Sequence, residues 1–220
     1  MLTKNIDEMK AVVADHIAAD QVVQGRYWEN NRGCFIGCLT HSSKSQLVTH
    51  KFGMPLPLVC ITERVFDRLT EKESVKFFAD IPAAIDIDGK DLSLIHWQFL
   101  RDTLLRLPKI TSEIKTVIKG ISLLAKGEKW NKEKVNAAAS ASVNAAAKSV
   151  NAAAWAAAWG AKAAYEAEDA AYAAAYMVRA ADYAAKAAAY AGFCAARAER
   201  SKQAQSIIQL LKDAPIKETK

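Results

Sequence analysis

The chain has 220 residues, 51% of them hydrophobic, and a net charge of +6. That length allows one sizeable core or two small units. The charged start MLTKNIDEMK argues against a secretory leader, and charges interrupting the alanine runs argue against a membrane span, so the expectation is a cytoplasmic protein with its four cysteines reduced.

Residues 5–24 place Ile6, Met9, Val13, His16, Ile17 and Val23 mostly at three- and four-residue steps. This predicts an amphipathic helix with Asn5 as N-cap and Gly25 as its stop. The segment GRYWENNRGCFIGCLTH, residues 25–41, follows and holds the densest chemistry in the chain. Two prolines in FGMPLPLV mark a turn into a helix over 58–69. EKESVKFFADIP predicts a short helix ending before Pro82, and the Asp88–Gly89 pair suggests a small hairpin. Amphipathic helices are expected over 92–107, ending at Pro108, and over 111–126.

From 136 to 196, 32 of 61 residues are alanine, and no proline stands between Pro108 and Pro215. Alanine is the best helix former, so this tract is helical. A single helix over 136–212 would be about 115 Å long, against a radius of gyration of roughly 17 Å for a compact chain of this size. The tract should therefore fold back, with breaks near Ser140–Asn144, Gly160 and Gly192; a projecting helix or coiled coil is the alternative. The fold class expected is all-α, an N-terminal motif unit packed on an alanine-rich bundle. The divisions are 1–108, the motif-bearing helical unit, 109–135, a basic helical connector, and 136–220, the alanine-rich bundle.

Charge is uneven along the chain. Residues 1–108 carry 13 Lys/Arg against 14 Asp/Glu, and residues 109–220 carry 17 against 10. A basic excess suits an anionic partner, or is simply a solvated helix face. Within the alanine tract, Trp155, Lys162, Asp169, Tyr176, Tyr183 and Tyr190 recur at sevens, as do Tyr165, Tyr172, Arg179, Lys186 and Phe193. Either alanine faces bring helices close while tyrosines fill the rim, or rings interleaved with cations line a groove for a nucleotide-like ligand.

The 25–41 segment admits three readings. If 33–41 is helical, Cys34, Cys38 and His41 share one face, and the Gly33/Gly37 pair lets a backbone or ligand come close. As a zinc site it would need His50 or Cys60 as a fourth ligand; the spacing departs from common finger patterns, so no metal or other cofactor is assigned. As a reactive centre, Cys38 would be activated by His41, with Glu29 orienting the imidazole. As packing, the cysteines are small hydrophobes among Tyr27, Trp28, Phe35 and Ile36. Packing leaves Arg26, Glu29, Asn30, Asn31 and Arg32 unexplained, and these fit a binding rim.

The elements QGRYWENNRGCFIGCLTH, FGMP and RVFDRL, with the Ala/Tyr-rich tail ending in LLKDAP, resemble a group of uncharacterised phage, prophage and bacterial proteins. That group shares a Y-W-E element, G-C-x-x-G-C-x-x-H and alanine–tyrosine tracts; the tail is also similar to proteins labelled as immunity proteins. The resemblance implies a mobile-element context, with host cytoplasm as the location, where small proteins antagonise host defence. The expected function is non-enzymatic binding that counters defence, by sequestering a small anionic nucleotide-like ligand or by blocking a defence protein. The candidate ligand contacts are Arg26, Tyr27, Trp28, Arg32, Tyr176, Arg179, Tyr183 and Lys186. A cysteine-dependent enzyme built on Cys38 and His41 is the alternative. No membrane partner is expected, nucleic acid fits less well, and a homo-oligomer stays open.

Overall fold

The computed structural model describes residues 1–149, 152–167, 169–189 and 193–217. The protein is all-α: eleven helices and one two-stranded sheet lie among the described residues. The chain divides into two compact units, Met1–Ile95 with Ala204–Lys220, and His96–Gln203. This division differs from one at 108 and 135, because 96–108 belongs with the alanine-rich helices and 204–220 returns to the motif unit.

The motif unit begins with α1 (Ile6–Ala18), then β1 (Trp28–Glu29), β2 (Arg32–Gly33), α2 (Phe35–Thr40), α3 (Ser45–Phe52), α4 (Leu56–Phe66) and α5 (Glu71–Ile85). Helix α1 stops well before Gly25, where Asp20 takes a positive φ of 52°. Asn5 is no side-chain cap. It donates to the Lys51 carbonyl at 2.8 Å, while Asp88 Oδ1 accepts from the Ile6 N–H at 2.9 Å. Helix α5 opens on a Thr70–Glu73 capping box and continues through Pro82 to Ile85, so the proline does not end it. The Asp88–Gly89 turn makes no hairpin of its own; it feeds Lys90 and Asp91 into single antiparallel bridges with Ile216 and Leu2. Helix α1 packs on α5 and α2, and α2 also touches α3 and α4. The core is large and specific: Phe35 and Phe66 meet Phe78 edge-on at 6.0 and 6.3 Å, beside fully buried Met9, Phe52 and Ile61.

The second unit holds α6 (Ile95–Leu105), α7 (Ser112–Leu124), α8 (Lys132–Ser149), α9 (Ala152–Tyr165) and α10 (Ala170–Ala189). Helix α11 (Phe193–Asp213) starts in this unit and ends in the motif unit. Helix α9 touches α7, α8 and α10 and buries ten small residues, nine alanines and Gly160. Alanine faces let the helix axes approach closely, so packing here comes from shape more than side-chain bulk. Two expected breaks are not breaks: α8 runs through 140–144 and α9 through Gly160. The α9–α10 turn begins at Glu166 and Ala167, and Asp169 Oδ1 accepts from the N–H groups of Ala171 and Tyr172 at 3.0 and 3.2 Å. Gly192 and Tyr190 lie outside the described residues. Among the described residues no helix is long and apolar enough to cross a membrane.

Candidate functional site

The 25–41 segment is a hairpin followed by a short helix. Asn30 and Asn31, both at positive φ (51° and 58°), form the two-residue turn that pairs Trp28 with Gly33 and Glu29 with Arg32. Two successive left-handed residues suit the twist of a tight hairpin, and asparagine tolerates them. The Asn-Asn pair was the legible signal for this element, which the expected helix over 33–41 overlooks. Cys34 is extended and caps α2 rather than lying within it, so the i, i+4, i+7 face of Cys34, Cys38 and His41 does not form.

The two glycines have one shared purpose. A Cβ on Gly33 or Gly37 would overlap the Tyr27 carbonyl. The 21–29 segment lies directly across them, held by Cys34 N–H to Arg26 O at 2.6 Å and Gly33 N–H to Gln21 O at 2.9 Å. The close approach is by backbone.

Beneath the hairpin Cys34 and Cys38 are buried and serve the core. Cys38 Sγ lies 3.1 Å from the Gly33 carbonyl, to which it donates. Burial pushes its thiol up to about 12, and burial together with the nearby Glu63 carboxylate pushes Cys34 above the ordinary thiol range. Cys60, on α4, is raised chiefly by burial too. These thiols stay protonated at neutral pH, the opposite of what a nucleophile needs. Glu63, also on α4 and 9% exposed, accepts from the Ile36 N–H at 3.0 Å and hydrogen-bonds Cys34. Desolvation raises its carboxyl to about 7. Sequence reasoning passed over Glu63, although its spacing from Val59 and Phe66 places it on the buried face of α4.

His41 turns away from the cysteines. Its ring stacks on Trp28 (centroids 3.9 Å apart, 13° between planes), and its Nε2 lies 3.1 Å from Nε2 of His16. Burial, then the charges of His16 and Lys51, lower its proton affinity. Among the described residues, no group of three or more His, Cys, Asp or Glu side chains is placed to hold a metal ion. Trp28 is half-buried and already stacked on exposed His41, while Tyr27 is 51% exposed. Arg26 and Arg32 do come together, lining a depression of about 480 Å³ with Val23, Glu29 and Asn30. Each already has an acid close by, Arg26 with Glu29 at 3.6 Å and Arg32 with Asp20 at 3.3 Å.

The other four candidates share α10 in the second unit. Trp155 and Trp159 of α9 stack at 6.1 Å; Tyr183 meets Trp155 at 6.1 Å, and Tyr176 stacks on Trp159 at 5.5 Å. The four half-buried rings make one continuous row. Three exposed cations cover it: Arg179 over Trp159 at 4.7 Å, Lys186 over Tyr183 at 4.4 Å, and Lys162 over Tyr165 and Tyr176 at 5.7 and 5.9 Å. Trp159, central to the row, lies outside both heptad registers and was missed; its signal is the i, i+4 step from Trp155. The two groups of four candidates belong to different units.

No family model, curated protein or solved structure matches the chain.

Proposed function

We propose that the chain is a non-enzymatic binding protein of mobile-element type that counters host defence by sequestering a small anionic, nucleotide-like ligand on the α9–α10 face. The observation that carries this reading is the row Tyr183–Trp155–Trp159–Tyr176 with Arg179, Lys186 and Lys162 lying over it. A planar ring gains stacking at the row's open edge, and a phosphate gains the cations. The cations already rest on the rings, but an exposed cation–π contact is worth only about 0.5–1 kcal/mol. A hydrogen bond to a charged group is worth about 1.5–3 kcal/mol, so a phosphate outcompetes the rings for Arg179. The raised thiols of Cys34 and Cys38 support binding over cysteine chemistry.

Calorimetry with a panel of mono- and cyclic nucleotides, on protein stripped of co-purified ligand, tests the reading. One nucleotide class should bind, and Arg179→Ala should weaken it about ten- to a hundredfold. Tyr172→Ala, at an exposed ring outside the row, should leave affinity unchanged. Absence of heat from every nucleotide would overturn ligand sequestration and leave the blocking of a defence protein as the better account.

A further inference from the structure

A second site, independent of the α9–α10 row, lies where α1 meets the end of α2. Nδ1 of His16 is 2.7 Å from the Val12 carbonyl, one turn back along α1. Only a protonated Nδ1 satisfies that carbonyl, so in the neutral ring the Nε2 lone pair is free to bind. It faces Nε2 of His41 at 3.1 Å. A tetrahedral ion bonded to two imidazoles at 2.0–2.1 Å holds their nitrogens about 3.3 Å apart, so a shift of a few tenths of an ångström admits one.

Both rings are held in place. His16 is buried on α1. His41 has a left-handed backbone (φ 50°, ψ 37°) at the end of α2 and lies flat on Trp28. The Val12 carbonyl on the far nitrogen of His16 is the outer partner that metal-binding histidines characteristically have, fixing tautomer and aim. The Lys51 ammonium that disfavours charge on His41 is itself paired with Glu8 at 2.9 Å.

We propose that His16 and His41 form a two-imidazole site for a divalent late transition ion. The donor set names the class. Imidazoles suit Cu²⁺, Ni²⁺ and Zn²⁺, with Cu²⁺ the tightest, and exclude Mg²⁺ and Ca²⁺, which want oxygen. Among the described residues no third His, Cys, Asp or Glu completes the set. The remaining positions therefore fall to water or an external ligand, the pattern of an open site. His41 keeps a place among metal-ligand candidates, but with His16 in place of the two cysteines.

The competing account of the same geometry is a hydrogen bond between two neutral rings, and metal titration separates them. Chelator-stripped full-length protein is titrated with Cu²⁺ and with Zn²⁺ near neutral pH by calorimetry, with thermal unfolding followed in parallel. One ion per chain, tighter for Cu²⁺, with a raised Tm, is expected. His41→Ala and His41→Gln should each weaken binding at least about tenfold and abolish the Tm rise. His16→Gln should do the same, and circular dichroism confirms that each variant is folded. His50→Ala, at an exposed histidine of α3, should change nothing. Lack of saturable binding, or wild-type affinity in both His41 variants, would overturn the site and leave a hydrogen bond alone.

Discussion

The two units reach stability by different means. The motif unit fits large side chains and polar atoms one to one: Phe78 against Phe35 and Phe66, Glu63 against Cys34 and the Ile36 N–H, Gly33 and Gly37 against the Tyr27 carbonyl. The alanine-rich unit relies more on propensity and smooth faces: α9 buries ten small residues, and the large buried side chains, such as Phe99, Leu104, Ile114, Ile121 and Met177, come from α6, α7 and α10. Changes of the same size should therefore have unequal effects in the two.

The largest contrast concerns glycine. In Gly37→Ala the new methyl overlaps a backbone carbonyl, which has no rotamer by which to yield. The hairpin must lift from α2. A loss of about 3 kcal/mol or more is expected, at the top of the overpacking range, despite the helix propensity gained. Trp28 is the only tryptophan of residues 1–95 and 204–220. The urea midpoint of its fluorescence, in a variant whose other tryptophans are phenylalanine, would measure the loss against the same background with Gly37 intact.

Glu63 gives an effect of similar or smaller size with a pH signature. Its folded-state carboxyl is raised from 4.5 to about 7, chiefly by burial. Its contribution to stability is therefore complete below pH 4.5 and is lost as pH rises through about 7. The shift amounts to about 3 kcal/mol as an upper figure. Glu63→Gln keeps an acceptor for Ile36 N–H and cannot ionise. The variant should match wild type in urea at pH 4.5 and exceed it by up to about 3 kcal/mol at pH 8. A gap that did not widen with pH would mean that Glu63 stays hydrated.

The sequence made helix content plain, because alanine propensity and amphipathic spacing act locally. Boundaries were less legible where distant contacts decide them. Helix α5 runs past Pro82, which is buried in place, and α9 runs through Gly160, where Leu100 and Leu104 of α6 pack. The α9–α10 turn was readable in principle from Asp169, a good N-cap before an alanine run, but glycine drew attention first. Of the candidate site, every member of the ring–cation row except Trp159 was visible as heptads, because the side chains of one face recur at near-heptad steps along a helix. His16 was visible only as one more position on an amphipathic helix. Its pairing with His41 spans 25 residues and depends on where the hairpin lays Trp28, which local spacing does not encode.

Gly160 supplies the smallest effect and the sharpest test of the contrast. A Cβ there would sit 3.3 Å from Leu104 Cδ1 and 3.7 Å from the Leu100 methyls. Those contacts are with the far ends of flexible side chains, which can yield by a few tenths of an ångström. Alanine in place of a mid-helix glycine is worth about 1 kcal/mol in propensity, and the small repacking of the leucines takes back part of it. Gly160→Ala should therefore stabilise the second unit slightly, by less than about 1 kcal/mol, read as a modest rise in the urea midpoint of Trp155 and Trp159 fluorescence. Gly120, in the same unit, should behave oppositely, because the Trp130 indole lies flat against it and a methyl would fall among the ring atoms. If Gly160→Ala were as damaging as Gly37→Ala, the alanine-rich unit would be fitted as closely as the motif unit. The difference between the two would then be one of composition alone.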